Sequence, residues 1–345
     1  MKDLKYISAY SIPLVAFIGI WQQGWLSYLT PIYVFVLIPI VELFTPASTD
    51  NLSEEDRLSQ NKKKIFDFLL YLNLPIVYGC ILFTLFVVTT QSLSFTEYLG
   101  TILSLGIVLS ANGINVAHEL GHRFTNERFI AKALLLPSHY MHFYIEHNFG
   151  HHQKAATKED PATAKYNQSL YFFWVSSVIG QYTSAWSIQK NLLKKNEASF
   201  FSIKNDMLWY LLFSVIYGVF IFLLFGSNGL LVAFLSGIVG FLLLETINYV
   251  EHYGLRRQKL ASGRYERVRE IHSWNSNHTL GRILLFELTR HSDHHYRASK
   301  KYQTLDHHDK SPQLPFGYPT SIVLSLFPPI WFRLMNKRVP REMQL

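Results

Sequence analysis

Residues 207–250 read MLWYLLFSVIYGVFIFLLF (207–225), GSNG (226–229) and LLVAFLSGIVGFLLLETINYV (230–250). Each apolar block is about 20 residues long, the length a helix needs to cross the hydrocarbon core of a bilayer. The tetrapeptide between them carries two glycines and no charge, so it reads as a short link between two spans. Working outward, comparable blocks occur at 6–26, 29–44, 65–89 and 95–117, which makes six expected spans. The first block lacks a small-residue cleavage site and runs almost directly into the second, so it is expected to stay in the mature chain as half of a helical hairpin.

With 345 residues, 49% hydrophobic and 16% charged, the chain has the composition of either two soluble domains or one membrane protein. Its apolar residues fall in long blocks rather than periodic stripes, which favours the membrane protein. The net charge of +8 has a similar explanation. The links after the first, third and fifth spans hold no Lys or Arg, so all 32 lie on the opposite side, which the positive-inside rule makes cytoplasmic. Both termini then face the cytoplasm, the membrane is the cell's inner membrane, and no nucleic-acid partner is expected. The single cysteine, Cys80, excludes an internal disulfide, a multi-cysteine metal site and a fused rubredoxin-like carrier.

The expected fold is all-α: a six-helix transmembrane bundle with a cytoplasmic, histidine-rich helical cap. Residues 1–117 hold four spans and a cytoplasmic loop at 45–64, and 118–206 form the first part of the cap. Residues 207–250 hold spans five and six, and 251–345 form a cytoplasmic tail. Within the tail, 321–331 is apolar but too short to span, and Pro328 and Pro329 are expected to stop it.

All 15 histidines lie beyond the fourth span. Three clusters have spacings that place imidazoles on one helical face: His118 and His122 in HELGH, His147, His151 and His152 in HNFGHH, and His291, His294 and His295 in HSDHH. His252 in NYVEHYG closes the sixth span. Nine neutral nitrogen donors are too many for one ion of the first transition row, and they suit two ions with positions left open. HELGH alone also fits a zinc protease with Glu119 as general base, but that reading leaves six clustered histidines unexplained. A transport protein would carry more ionisable residues inside its spans than Glu42, Asp67, Glu97 and Glu245. Glu119, Glu146, Asp160, Glu251 and Asp293 stand beside the clusters and could accept the second ring N–H of a metal-bound histidine, and His272 is a further candidate for the surrounding layer. His139, His142, His272, His278, His307 and His308 are expected in the surrounding layer or on the surface rather than as ligands, with His142 and His272 the two that come first as exceptions.

HELGHR from His118, HFYIEHNFGHH from His142, EDPATA from Glu159, NYVEHYGLRRQ from Asn248, HSWNSNH from His272, LTRHSDHHYR from Leu288 and KYQTL from Lys301 follow in this order. In them the chain resembles the membrane-bound alkane 1-monooxygenase family of non-haem di-iron enzymes. The NYVEHYGL element separates this family from desaturases and other hydroxylases that share the histidine clusters. The resemblance implies two iron ions held by His118, His122, His147, His151, His152, His252, His291, His294 and His295, with no catalytic side chain beyond the metal site. Thr289 and Phe316 depart from the usual family residues, and neither is a ligand.

An unactivated methyl group offers neither an acidic proton nor an electrophilic carbon, so the oxidant has to be a metal with O₂. The implied reaction converts medium- to long-chain n-alkanes from the bilayer to 1-alkanols, with electrons from a separate rubredoxin and its reductase. The alternative within the same chemistry is a desaturase or hydroxylase of fatty acyl, sterol or aromatic methyl substrates. Relatives of this type often carry a bulky residue in the second span that limits chain length; here the equivalent is Val34, five before Pro39, so longer chains are expected to fit.

Overall fold

The computed structural model describes residues 2–123 and 126–344. Met1, Phe124, Thr125 and Leu345, which belong to the expected segments 1–117, 118–206 and 251–345, lie outside the described residues. Among the described residues the chain is helical, and extended pairing is limited to isolated bridges between Ala47 and His278, Lys259 and Tyr265, and Asn275 and Gln313.

Five helical stretches are long and apolar enough to cross a membrane: Asp3–Gln22, Gly24–Phe44, Ile65–Thr90, Phe95–Gly121 and Asp206–His252. Gln23 and Gly24 take φ of 55° and 57° and turn the chain at the first link, so the first span ends at Gln22 rather than Leu26. The last stretch has 47 residues, more than twice what one crossing needs. Its helical conformation is interrupted at Gly226, with φ 66° and ψ −170°, at the head of the GSNG link. Glycine tolerates that backbone because it has no Cβ to clash.

The chain forms two compact units. One comprises Met1–Leu37, Lys64–Tyr144 and Trp186–Leu244. In it, Ser94 starts the Phe95–Val108 helix with a capping box: its hydroxyl accepts from Glu97 N–H, and its own N–H donates to Glu97 Oε2 at 2.7 Å. Glu97 Oε1 also accepts from the Gly24 N–H at 2.8 Å, which ties the start of this helix to the first link. Buried polar groups are satisfied between helices: Asn112 Nδ2 donates to Asn73 Oδ1 at 2.9 Å and to Ala9 O at 3.3 Å. Gly106 lies so close to Val239 that no Cβ would fit. A π-helical turn at Leu109–Ile114 then re-aims the chain into the short helix Asn115–Gly121.

The other unit comprises Ile38–Lys63, Ile145–Ala185 and Glu245–Leu345. The 26-residue helix Leu170–Lys195 begins here, and sequence had not singled it out. Its Ser177 and Gln181 donate to the Glu245 carboxylate at 2.6–2.9 Å, so Glu245 packs helices together. The expectation for 321–331 is corrected: Pro328 and Pro329 begin the helix Pro328–Met335 instead of only ending a segment. Proline suits the first helical turn, where its missing N–H would have had no helical partner.

Candidate metal centre

Three backbone features of the second unit bring seven histidines together. His252 ends the long helix, the π-helical turn His147–His151 runs directly into His152, and His291–Tyr296 is a six-residue helix. His151, His252, His291 and His295 form one group in which the ligand nitrogens all lie within 4.8 Å of one another. Their ε nitrogens face in pairs, His151 to His295 at 3.1 Å and His252 to His291 at 3.2 Å. His147, His152 and His294 belong to a second group with nitrogens equally close, and the ε nitrogens of His147 and His152 are 3.0 Å apart.

The HNFGHH and HSDHH clusters are therefore each shared out rather than used as one face. The adjacent residues His151 and His152 belong to different groups, as do His294 and His295. The wide π turn explains the first split, since it places the residues four and five beyond His147 on either side of it. In the helix His291–Tyr296 the i,i+4 pair His291 and His295 stays on one side, and His294 turns to the other.

These donors fit metal ions. A facing pair of neutral imidazole ε nitrogens can share at most one N–H, whereas a cation accepts both lone pairs. The four histidines of the first group are all buried. Burial, followed by the neighbouring imidazoles, holds the His295 pKa well below the ordinary value, so that ring is neutral. Neutral imidazole is the form that binds iron, copper, zinc or nickel.

Only some of the expected carboxylates serve the histidines. Asp160 does: His151 Nδ1 and Asp160 Oδ2 are 3.0 Å apart, which leaves His151 Nε2 facing the group. Burial alone would raise the Asp160 pKa, but His151 and the Thr163 hydroxyl bring it below the ordinary carboxylate value. The same pairing raises His151 against the opposing effect of burial. Glu251 Oε2 stands 3.1 Å from His291 Nε2, and Glu251 Oε1 accepts from the Tyr318 hydroxyl at 2.7 Å. Glu146 is fully buried, accepts from Ser184 Oγ at 3.3 Å, and is pushed up to about 8, chiefly by burial. Asp293 is instead taken up by Lys300 at 2.6 Å, His308 at 2.7 Å and the Asp306 N–H at 2.8 Å. His272 lies outside both groups, with Nδ1 accepting from the Arg269 N–H at 3.0 Å.

In the first unit, His118 and His122 pack edge to face with centroids 5.2 Å apart. Glu119 between them pairs with Arg123 at 3.1 Å, and Arg123 also holds Asp67 at 2.6 Å. Its carboxylate is thus engaged as an ion-pair partner. His142 packs against Tyr140, and burial brings its pKa down to about 3. Val34 is half-buried in the π-helical turn Tyr33–Leu37. Sequence reading did not single out Thr163, Tyr318 or Ser184. Thr163 had a signal, since a hydroxyl residue three positions after Asp160 can turn back onto its carboxylate. Tyr318 and Ser184 had none, because they meet Glu251 and Glu146 only through the fold.

Comparison with known proteins gives consistent results. The family model described as fatty acid desaturase matches residues 94–321. Alkane 1-monooxygenase 2 of Alcanivorax borkumensis is 34% identical, covering 98% of this chain and 91% of the relative. Alkane 1-monooxygenase of Ectopseudomonas oleovorans is 36% identical, covering 98% and 86%. The xylene/toluene monooxygenase hydroxylase component of Pseudomonas putida is 28% identical, covering 99% and 90%.

Proposed function

Because the chain belongs to the alkane 1-monooxygenase family, and is thus an integral-membrane, iron-dependent monooxygenase, we propose that it holds two irons and converts n-alkanes of medium to long chain to 1-alkanols. The observation that carries this reading is the division of the buried histidines into two groups. His151, His252, His291 and His295 hold one iron. His147, His152 and His294 hold the other together with His118 and His122, an assignment that rests on the order of the motifs. The irons supply O₂ activation and a path for two electrons, which no side chain can provide at an unactivated methyl group.

The residues around them orient and exclude water. Asp160 accepts the Nδ1–H of His151 and fixes the tautomer that leaves Nε2 bare. Burial of His252, His291 and His295 keeps bulk water from these nitrogens. Glu251, held by Tyr318, faces His291 and places a carboxyl oxygen at that side of the group.

Six spans fit the chain better than five, since the 47-residue stretch breaks at Gly226 and covers both blocks at 207–225 and 230–250. The charge asymmetry of the links then puts both termini, the histidines and the cap segments 118–206 and 251–345 on the cytoplasmic side of the inner membrane. Electrons come from a separate rubredoxin served by its reductase, because Cys80 alone cannot hold an iron–sulfur centre. Arg256, Arg257, Lys259, Arg264, Arg267 and Arg269 form a basic segment suited to an acidic carrier. Arg257 donates to Gln153 O at 2.8 Å and Arg256 to Thr157 O at 2.9 Å, which ties this segment to the chain just after His152.

The relative named for xylene and toluene supports a second reading, oxidation of an aromatic methyl group at a site of the same kind; its lower identity of 28%, against 34–36% for the alkane enzymes cited, places it second. Turnover of n-dodecane and p-xylene under ¹⁸O₂ tests the proposal. Labelled 1-dodecanol as the preferred product supports it; a double bond, or preference for p-xylene, overturns it.

A further inference from the structure

A half-open cavity of about 450 Å³ lies within the first unit, and no histidine lines it. Its wall combines Phe129, Leu136, Met141, Trp209 and Phe213 with one charged pair, Lys132 and Asp206. The size and the ratio of many apolar groups to few polar ones are those of a small-molecule site. Asp206 is the first residue of the 47-residue apolar stretch, so the pair marks the polar end of a wall that continues into span residues.

The chemistry of that end selects the ligand. Lys132 Nζ is 3.0 Å from Asp206 Oδ2 and sits over the rings of Tyr144 and Tyr210, at 4.8 and 5.3 Å from their centroids. Its charge is already compensated, so an anionic head group gains little there and meets the Asp206 carboxylate. An alkane fills the cavity but leaves the pair unused. A hydroxyl does better than either, since it can donate to the carboxylate and accept from the ammonium. The Asp206 side chain is 40% exposed and therefore reachable by such a head.

We propose that this cavity is a second ligand site that binds straight-chain primary alcohols, the hydroxyl on Lys132 and Asp206 and the chain along Leu136, Met141 and Phe213. The choice of alkanol rests on the alkane-hydroxylating reading, since it makes the ligand that enzyme's own product. The site would hold product at the boundary between apolar and polar surroundings.

Trp209 in the wall makes the site measurable, because bromine quenches indole fluorescence on contact. Purified full-length protein in lipid nanodiscs is titrated with 11-bromo-1-undecanol, 1-bromoundecane, 11-bromoundecanoate and a bromoacyl phosphatidylcholine. Saturable quenching by the alcohol is expected, lost in Trp209→Phe and requiring about tenfold more alcohol in Lys132→Met. Ala133→Phe, which fills the cavity without touching the pair, should abolish it at unchanged iron content. Equal quenching by the bromoalkane or the phosphatidylcholine overturns the proposal in favour of a general lipid groove, and stronger quenching by the carboxylate overturns the hydroxyl assignment. Binding is read without turnover. Alcohol binding in a protein that forms no alkanol would refute the hydroxylase reading alone, and alkanol formation without saturable quenching would refute the site alone.

Discussion

His151 and Asp160 meet at 3.0 Å with both side chains buried, and this contact decides which nitrogen of His151 is available to its group. The Asp160 carboxylate is itself held by the Thr163 hydroxyl at 2.5 Å and the Ala162 N–H at 3.1 Å. A histidine on a metal depends on such a partner for ring orientation and basicity.

Asp160→Asn keeps the size but loses the charge and frees the amide to present its NH₂ to His151. Loss of a hydrogen-bond partner of this kind weakens metal affinity or activity by about 10- to 100-fold. Turnover and the iron affinity of the His151 group should fall by an amount in that range, with iron per chain dropping by no more than that group's one ion, while the helical content is retained. Unchanged iron retention in the presence of a chelator would remove Asp160 from this role.

His142 should make the protein acid-sensitive. Burial holds its pKa at about 3, against the usual 6.5, so between those values the unfolded chain binds more protons than the folded one. Its contribution to stability is complete above about pH 6.5 and is lost as the pH falls toward 3. In thermal unfolding of metal-free protein at pH 7.5 and pH 5, His142→Phe should lose less stability than the wild type. Parallel losses would show that His142 does not supply this dependence.

Val34 tests the chain-length idea. A tryptophan at this half-buried position adds bulk to the π-helical turn Tyr33–Leu37. Val34→Trp should shift the preferred n-alkane to shorter chains in competition among substrates from C8 to C16. An unaltered profile would separate this residue from substrate selection.

Much of this was legible because the signals are local. Span-length apolar blocks and the GSNG link announced the helices, and histidine spacing announced a metal centre. The division into two groups was not, because the reading assumed α-helical spacing and the π turn at His147–His151 changes which neighbours share a side. Carboxylates were hardest. Asp160 could be placed from its motif, whereas Asp293 and Glu119 were claimed by Lys300 and Arg123. Competition among cations for one carboxylate depends on the folded geometry, which adjacency in sequence does not specify. The prolines at 328 and 329 show the same ambiguity on a smaller scale, since proline can follow one helix and start the next.

If the histidines form two iron sites, His252 serves one of them, since it lies in only one of the two groups. Elemental mass spectrometry of the purified wild type and His252→Ala, reading iron and zinc per chain, tests it directly. About two irons are expected in the wild type, about one in the variant and little zinc in either. One zinc per chain without iron, or an iron content that His252→Ala leaves unchanged, would contradict it.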